Sequence, residues 1–329
     1  MTDDVLDTLI HRADLDGLVR LVDDVTAAGD WARLRRLRDA ARHALGTGRQ
    51  LWPAATLAEY RLALLAPPEW AAGVLDESSG RFSIGPLTEV VAQHHTWAEL
   101  APLLERGPRA AFVAHERVLR GESIEASTVA ELPNTLDLPY QLEPWEPRYV
   151  LADYRADGAE FAAPDLPTGL VELVLPADVN GALLDDDLVE LAVRQLVEPW
   201  TTSSDGRAEV VAVEGDAATA VRALGITTAR AVELAPVDAL AWLAWAGASG
   251  GAYGRRRGAA AGRFGALWLV AAFGDALDDW PPDDLGDVVA SMRWWWWDAH
   301  EPVTGWQLQL TVEDPTAGVA WAISARDAA

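Results

Sequence analysis

The chain is 329 residues long and half of it is apolar, which suffices for two hydrophobic cores and is long for one. Its formal net charge of -25 repels nucleic-acid backbones and anionic membrane surfaces at long range. The absence of cysteine excludes disulfide frameworks, thiolate nucleophiles and cysteine-ligated zinc or iron–sulfur sites.

The N-terminus reads Met1-Thr2-Asp3-Asp4, with no cationic start followed by an apolar run, and no window is apolar enough to cross a bilayer. A soluble, cytoplasmic protein is expected, with neither membrane nor nucleic acid as partner. All 26 basic residues are arginine. A high-GC coding sequence is the simplest account of that; selection against lysine modification and adaptation to high salt are the alternatives.

From Asp3 to about Gly121 apolar residues recur at three and four, as in Leu15, Leu18, Val19 and Val22 or in Leu34, Leu37, Ala41 and Leu45. Breaks at Gly29-Asp30, Gly46-Thr47-Gly48, Pro67-Pro68, Ser78-Ser79-Gly80 and Gly107-Pro108 keep these helices short. Leu21, Val25, Trp31, Ala32, Leu34 and Leu37 return 66 residues later as Leu87, Val91, Trp97, Ala98, Leu100 and Leu103. Two helical-hairpin repeats of about 33 residues would fit that offset, so residues 1–130 are expected to form an irregular HEAT-like or TPR-like helical domain. Arg33, Arg35, Arg36, Arg38, Arg42 and Arg49 read as a solvated, carboxylate-paired face rather than a peptide groove.

Residues 131–168 lose the helical period and gain Pro133, Pro139, Pro144, Pro147, Pro164 and Pro167, the texture of a linker. Its aromatics Tyr140, Trp145, Tyr149, Tyr154 and Phe161 imply that it packs along its neighbours. Residues 169–329 then alternate strand and helix: strands at 170–175, 209–213 and 229–234, helices at 187–197 and 217–224 and from about Val237. The alternation points to an α/β domain with at least one parallel pairing, ending in a β-hairpin of residues 306–312 and 319–323 with one face wet. The fold class is therefore α+β in two domains.

Candidate chemistry is concentrated between Ala241 and Trp297. Glycines at 250, 254, 258 and 262 are spaced by four, either as a bare helix stripe or as a loop. In the loop form Gly254 and Gly258 amides with Arg255, Arg256, Arg257 and Arg263 would make an anion site at the start of a helix over 259–273. The bland alternative pairs those arginines with the aspartates between Asp275 and Asp287. The chain lacks the lysine of a Walker loop and the dinucleotide glycine fingerprint. If a helix from Asp283 runs into the tryptophan run, Leu285, Val288, Val289, Met292, Trp295 and Trp296 share one stripe. Trp294 then faces the other way, to pack on a neighbouring domain, wall a ligand pocket or stack on an arginine. Asp298, His300 and Glu301 read as a solvated turn, Asp185-Asp186-Asp187 as helix-start charge. No catalytic residue, metal site or cofactor is expected.

The run 250–258 with Trp297-Asp298 and Thr304-Gly305-Trp306-Gln307-Leu308 resembles segments of an uncharacterised protein family of high-GC Gram-positive (actinobacterial) bacteria, a domain of unknown function. The resemblance implies no activity. Two functions are expected from the residues: an interaction or adaptor protein with a protein partner, or a binding protein or enzyme for a phosphorylated or otherwise anionic small molecule, clamped by the arginines and walled by Trp294.

Overall fold

The computed structural model describes residues 3–75, 84–179, 181–278, 280–302 and 304–328. The expected break at Ser78-Ser79-Gly80 and the acidic Asp279 lie outside the described residues. The chain divides into two compact units, one of residues 1–135 and 152–161, the other of residues 136–151 and 162–329.

The first unit is helical: α1 (Asp3–Arg12), α2 (Leu15–Ala27), α3 (Trp31–Leu45), α4 (Trp52–Leu65), α5 (Pro68–Ala72), α6 (Leu87–His94), α7 (Trp97–Leu100), α8 (Pro108–Leu119) and α9 (Ala126–Val129). Local chemistry starts these helices. Asp14 and Asp30 accept from Gly17 N at 2.8 Å and Arg33 N at 3.1 Å, while α4, α5 and α8 begin on proline, whose missing N–H costs nothing there. At the two places related by the 66-residue offset, Trp31 and Trp97 each open a helix behind a capping residue, Asp30 and Thr96. The later of those helices is a single turn. The arginine face departs from expectation, because Arg33 and Arg38 are buried. The period that buries Leu34, Leu37 and Ala41 carries them inward too.

A hairpin of β1 (Asp153–Arg155) and β2 (Gly158–Glu160) completes this unit. The Tyr60 hydroxyl lies 2.6 Å from Arg155 O and 2.8 Å from Gly158 O, and burial lifts its phenol to about 12. Tyr154 donates to Glu89 at 2.6 Å.

The second unit contains β3 (Val171–Leu173), β4 (Leu183–Leu184), α10 (Asp187–Leu196), α11 (Glu198–Thr202), β5 (Arg207–Glu214), α12 (Ala217–Ala223), β6 (Ala229–Leu234), α13 (Pro236–Ala248), α14 (Ala259–Phe273), α15 (Leu285–Ser291), β7 (Arg293–Asp298), β8 (Trp306–Asp314) and β9 (Val319–Asp327). The strands form one sheet in the order β3-β6-β7-β8-β9-β5-β4. Every pairing among the described strands is antiparallel, which corrects the expected parallel pair. The hairpin β8–β9 lies inside the sheet, and Gln309, Thr311, Ala320 and Ala322 are buried alongside Leu308, Leu310 and Ile323. The wet face expected there is thus absent: α13 with α10 and α11 covers one side and α12 the other.

The tryptophan run is strand rather than helix, because α15 ends at Ser291 and β7 follows at once. Period two then sends Trp294 and Trp296 to one side and Trp295 and Trp297 to the other. Trp296 packs on Trp242 of α13 at 4.5 Å between ring centroids, and Trp294 on Phe273 of α14 at 6.0 Å. Trp297 belongs to the core under α12 with Val213, Val221 and Ala231, and Trp295 packs against it.

Candidate functional site

The Gly/Arg segment is a loop between two helices that are apolar but for Asp238 in α13 and Arg263 in α14. A Cβ on Gly262 would collide with Ala244 O, so that glycine lets α14 lie directly on the backbone of α13. Gly258 sits at φ 96, ψ 159, a conformation open essentially to glycine alone, and turns the loop into α14. The loop is tied down by Asp327 of β9, which is buried and accepts from Ala252 N and from Ser204 Oγ, both at 2.6 Å.

The arginines named from the sequence diverge. Arg257 donates to Gly247 O at 2.8 Å, Gln195 O at 2.9 Å and Leu196 O at 2.8 Å, closing the carbonyl ends of α13 and α10; burial pulls its pKa down. Arg263 is sealed inside and makes a two-pronged pair with Glu146, 2.7 Å on each arm, while also donating to Pro139 O and Gln141 O. Tyr149 donates to the same carboxylate at 2.6 Å, and burial pushes its phenol far up. Arg257 and Arg263 thus bond to backbone carbonyls and Glu146 rather than to the aspartates between Asp275 and Asp287; Arg255 and Arg256 are engaged as well. Gly254 packs against Gly250 and Pro199 within the loop's own turn.

Trp294 is buried and donates from Nε1 to Val289 O at 3.2 Å, so it serves the core. Stacking on an arginine falls instead to Trp295, whose ring lies 4.9 Å below the Arg293 guanidinium. Arg293 is itself held by Glu233 at 3.0 and 3.2 Å and approaches Glu313 at 3.7 Å; the bonds to Glu233 raise its pKa. Asp298, His300 and Glu301 go separate ways, to Arg230, Glu172 and Arg326. Among the described residues no group of three acidic or histidine side chains is placed to hold a metal.

A cavity of about 320 Å³ opens between α12 and the Trp295–Trp297 side of the sheet. Trp297 and Thr311 form its floor and are fully buried, Trp295 forms a half-buried wall, and Ala217 and Ala218 of α12 face them. Asp216, Arg293 and Glu313 stand at the rim. Nε1 of Trp295, Nε1 of Trp297 and Oγ1 of Thr311 are buried without a hydrogen-bond partner among the described residues. These three atoms are closed off from the cavity's open space, although the residues that carry them line it. The sequence pattern could not show this group, because the helical reading split Trp295 from Trp297 and left Thr311 unremarked. Strand alternation through 293–298 was the available signal.

The chain belongs to a family of unknown function, DUF6183, whose model matches residues 16–329. No curated protein and no solved structure matches it.

Proposed function

We propose that this member of a family of unknown function is a binding protein, and that its second unit holds a small molecule in the cavity beneath α12. The observation that carries the reading is the cavity itself, walled by the half-buried ring of Trp295 and rimmed by Asp216, Arg293 and Glu313. The volume lies at the lower end of the range of about 300–1,000 Å³ typical of ligand pockets.

Thermal unfolding of the full chain against nucleosides, nucleotides, sugars, sugar phosphates, amines and simple anions tests the reading. A ligand held at a hundredfold excess over its Kd adds about 2.7 kcal/mol. Ala218→Leu, which fills the cavity from the α12 side, is expected to abolish the shift. A shift that survives Ala218→Leu but is lost in Arg256→Ala would place the ligand at the 250–263 loop and favour the anion-binding alternative.

A second reading, docking of a protein partner, is favoured by the outer strand of the sheet. Val171 in β3 and Val174 just after it are 67 % and 86 % exposed, on a strand paired on one side only among the described residues. Apolar side chains on an open edge are a pairing surface. Light scattering of Val174→Glu against the unmodified chain tests it: concentration-dependent association lost in the variant supports the edge as an interface, and unchanged association rejects it.

A further inference from the structure

The chemistry of the cavity beneath α12 narrows what it holds; this step rests on the binding reading above. Its walls are unlike each other. On the sheet side Trp295 and Trp297, two apart on β7, present indole surface over about 7 Å. On the α12 side Ala217 and Ala218 end at Cβ. Large flat rings facing short side chains leave a slot, which a planar ring fills and a bulky aliphatic does not. At about 320 Å³ the space suits one ring system, with or without a small substituent.

Charge selects further. Arg293, the one cation among the described residues lining the cavity, is bonded through both Nε and Nη2 to Glu233, stacked on Trp295 and close to Glu313. Asp216 and Glu313 add two carboxylates at the rim, where the guanidinium is already in use. An anionic ligand meets repulsion there, whereas an amino group meets acceptors.

We infer that the cavity takes an uncharged or cationic heteroaromatic amine of nucleobase size. The ring stacks along Trp295, and the exocyclic amine points to Glu313 and Asp216. The same chemistry is offered by a free base or by a nucleoside, whose sugar would extend outward past the rim. A phosphate on that sugar places two negative charges beside the rim carboxylates and weakens binding.

Isothermal titration calorimetry of the full chain with adenine, cytosine, their nucleosides and nucleoside monophosphates, and glucose as the non-aromatic control, separates the sources. The expected result is saturable binding of a base or nucleoside, with the matching monophosphate about tenfold weaker or worse. Glu313→Gln is expected to close part of that gap, and Trp295→Ala to remove binding of the base. Monophosphates binding as tightly as nucleosides, or no base or nucleoside binding at all, would overturn the inference. If glucose binds instead and Ala218→Leu abolishes it, the cavity remains the site and only the ligand class is wrong. If a base binds equally well to Ala218→Leu, both the ligand class and the cavity are wrong.

Discussion

Arg263 shows how one side chain can be an apparent ligand clamp in a sequence and a girder in a structure. With Arg263 and Glu146 almost wholly excluded from water, every donor of the guanidinium must be met inside, and Glu146, Pro139 O and Gln141 O meet them. Arg263→Ala leaves Glu146 charged and buried, and is expected to cost about 3–5 kcal/mol in urea unfolding of the second unit. The paired replacement of Arg263→Met with Glu146→Leu is expected to recover most of that loss; a double variant as unstable as the single one would show that the carbonyl contacts, rather than the ion pair, hold the segment. His95 supplies a pH-dependent counterpart in the first unit. Burial lowers its pKa below the ordinary 6.5, against the opposing pull of Glu99. The unfolded chain therefore takes up a proton near pH 6.5 that the folded chain resists, so this contribution to stability is intact above 6.5 and drains away as pH falls through the lowered value. His95→Gln is expected to flatten the decline of melting temperature on that side of neutrality; equal slopes for both chains would refute the assignment.

At the scale of elements, β7 and the loop before α14 govern the second unit. β7 is a central strand with a large ring on each side at every step from Trp294 to Trp297, and that explains why its sequence misleads. A strand covered on both faces has no polar alternation, so a helix extended from Asp283 reads equally well until the partner strands β6 and β8 are known. Trp294→Ala is expected to cost about 3–5 kcal/mol, as for other buried large-to-small changes. Trp295→Ala, at a half-buried position, is expected to cost much less stability while removing ligand binding, and a reversal of that order in paired denaturation and calorimetry would reject the division of roles. The loop makes a different demand. Gly258→Ala forces a Cβ into a backbone region reserved for glycine and is expected to cost about 1–3 kcal/mol in denaturant unfolding.

The whole molecule carries 51 acidic residues against 26 arginines, and that imbalance acts on every part of it. Self-repulsion opposes the compact state, and salt screens it. Moving from about 0.01 M to about 0.15 M sodium chloride shortens the screening length from about 30 Å to about 8 Å and is expected to raise the melting temperature. A flat response would mean that the surface ion pairs weakened by the same salt contribute as much as the repulsion removed. The acidity also agrees with the chemistry proposed for the cavity, where carboxylates outnumber the one cation.

What the sequence determined by itself was local: the short capped helices of residues 3–119, the strands at 209–213 and 229–234, the helix over 259–273 and the terminal hairpin all follow from spacing, caps and turn residues within a dozen positions. The glycine loop was legible as one of two readings, because five glycines in thirteen residues weaken any helix. Only the tertiary structure decided the antiparallel sense of the sheet, the strand identity of the tryptophan run and the destinations of Arg257 and Arg263. Those depend on partners as far away as 124 residues in sequence, as in Arg263 with Pro139 O. No local period records such a partner. The cavity belongs to the same class, since Trp295, Thr311 and Ala218 meet only after two strands and a helix have been brought together.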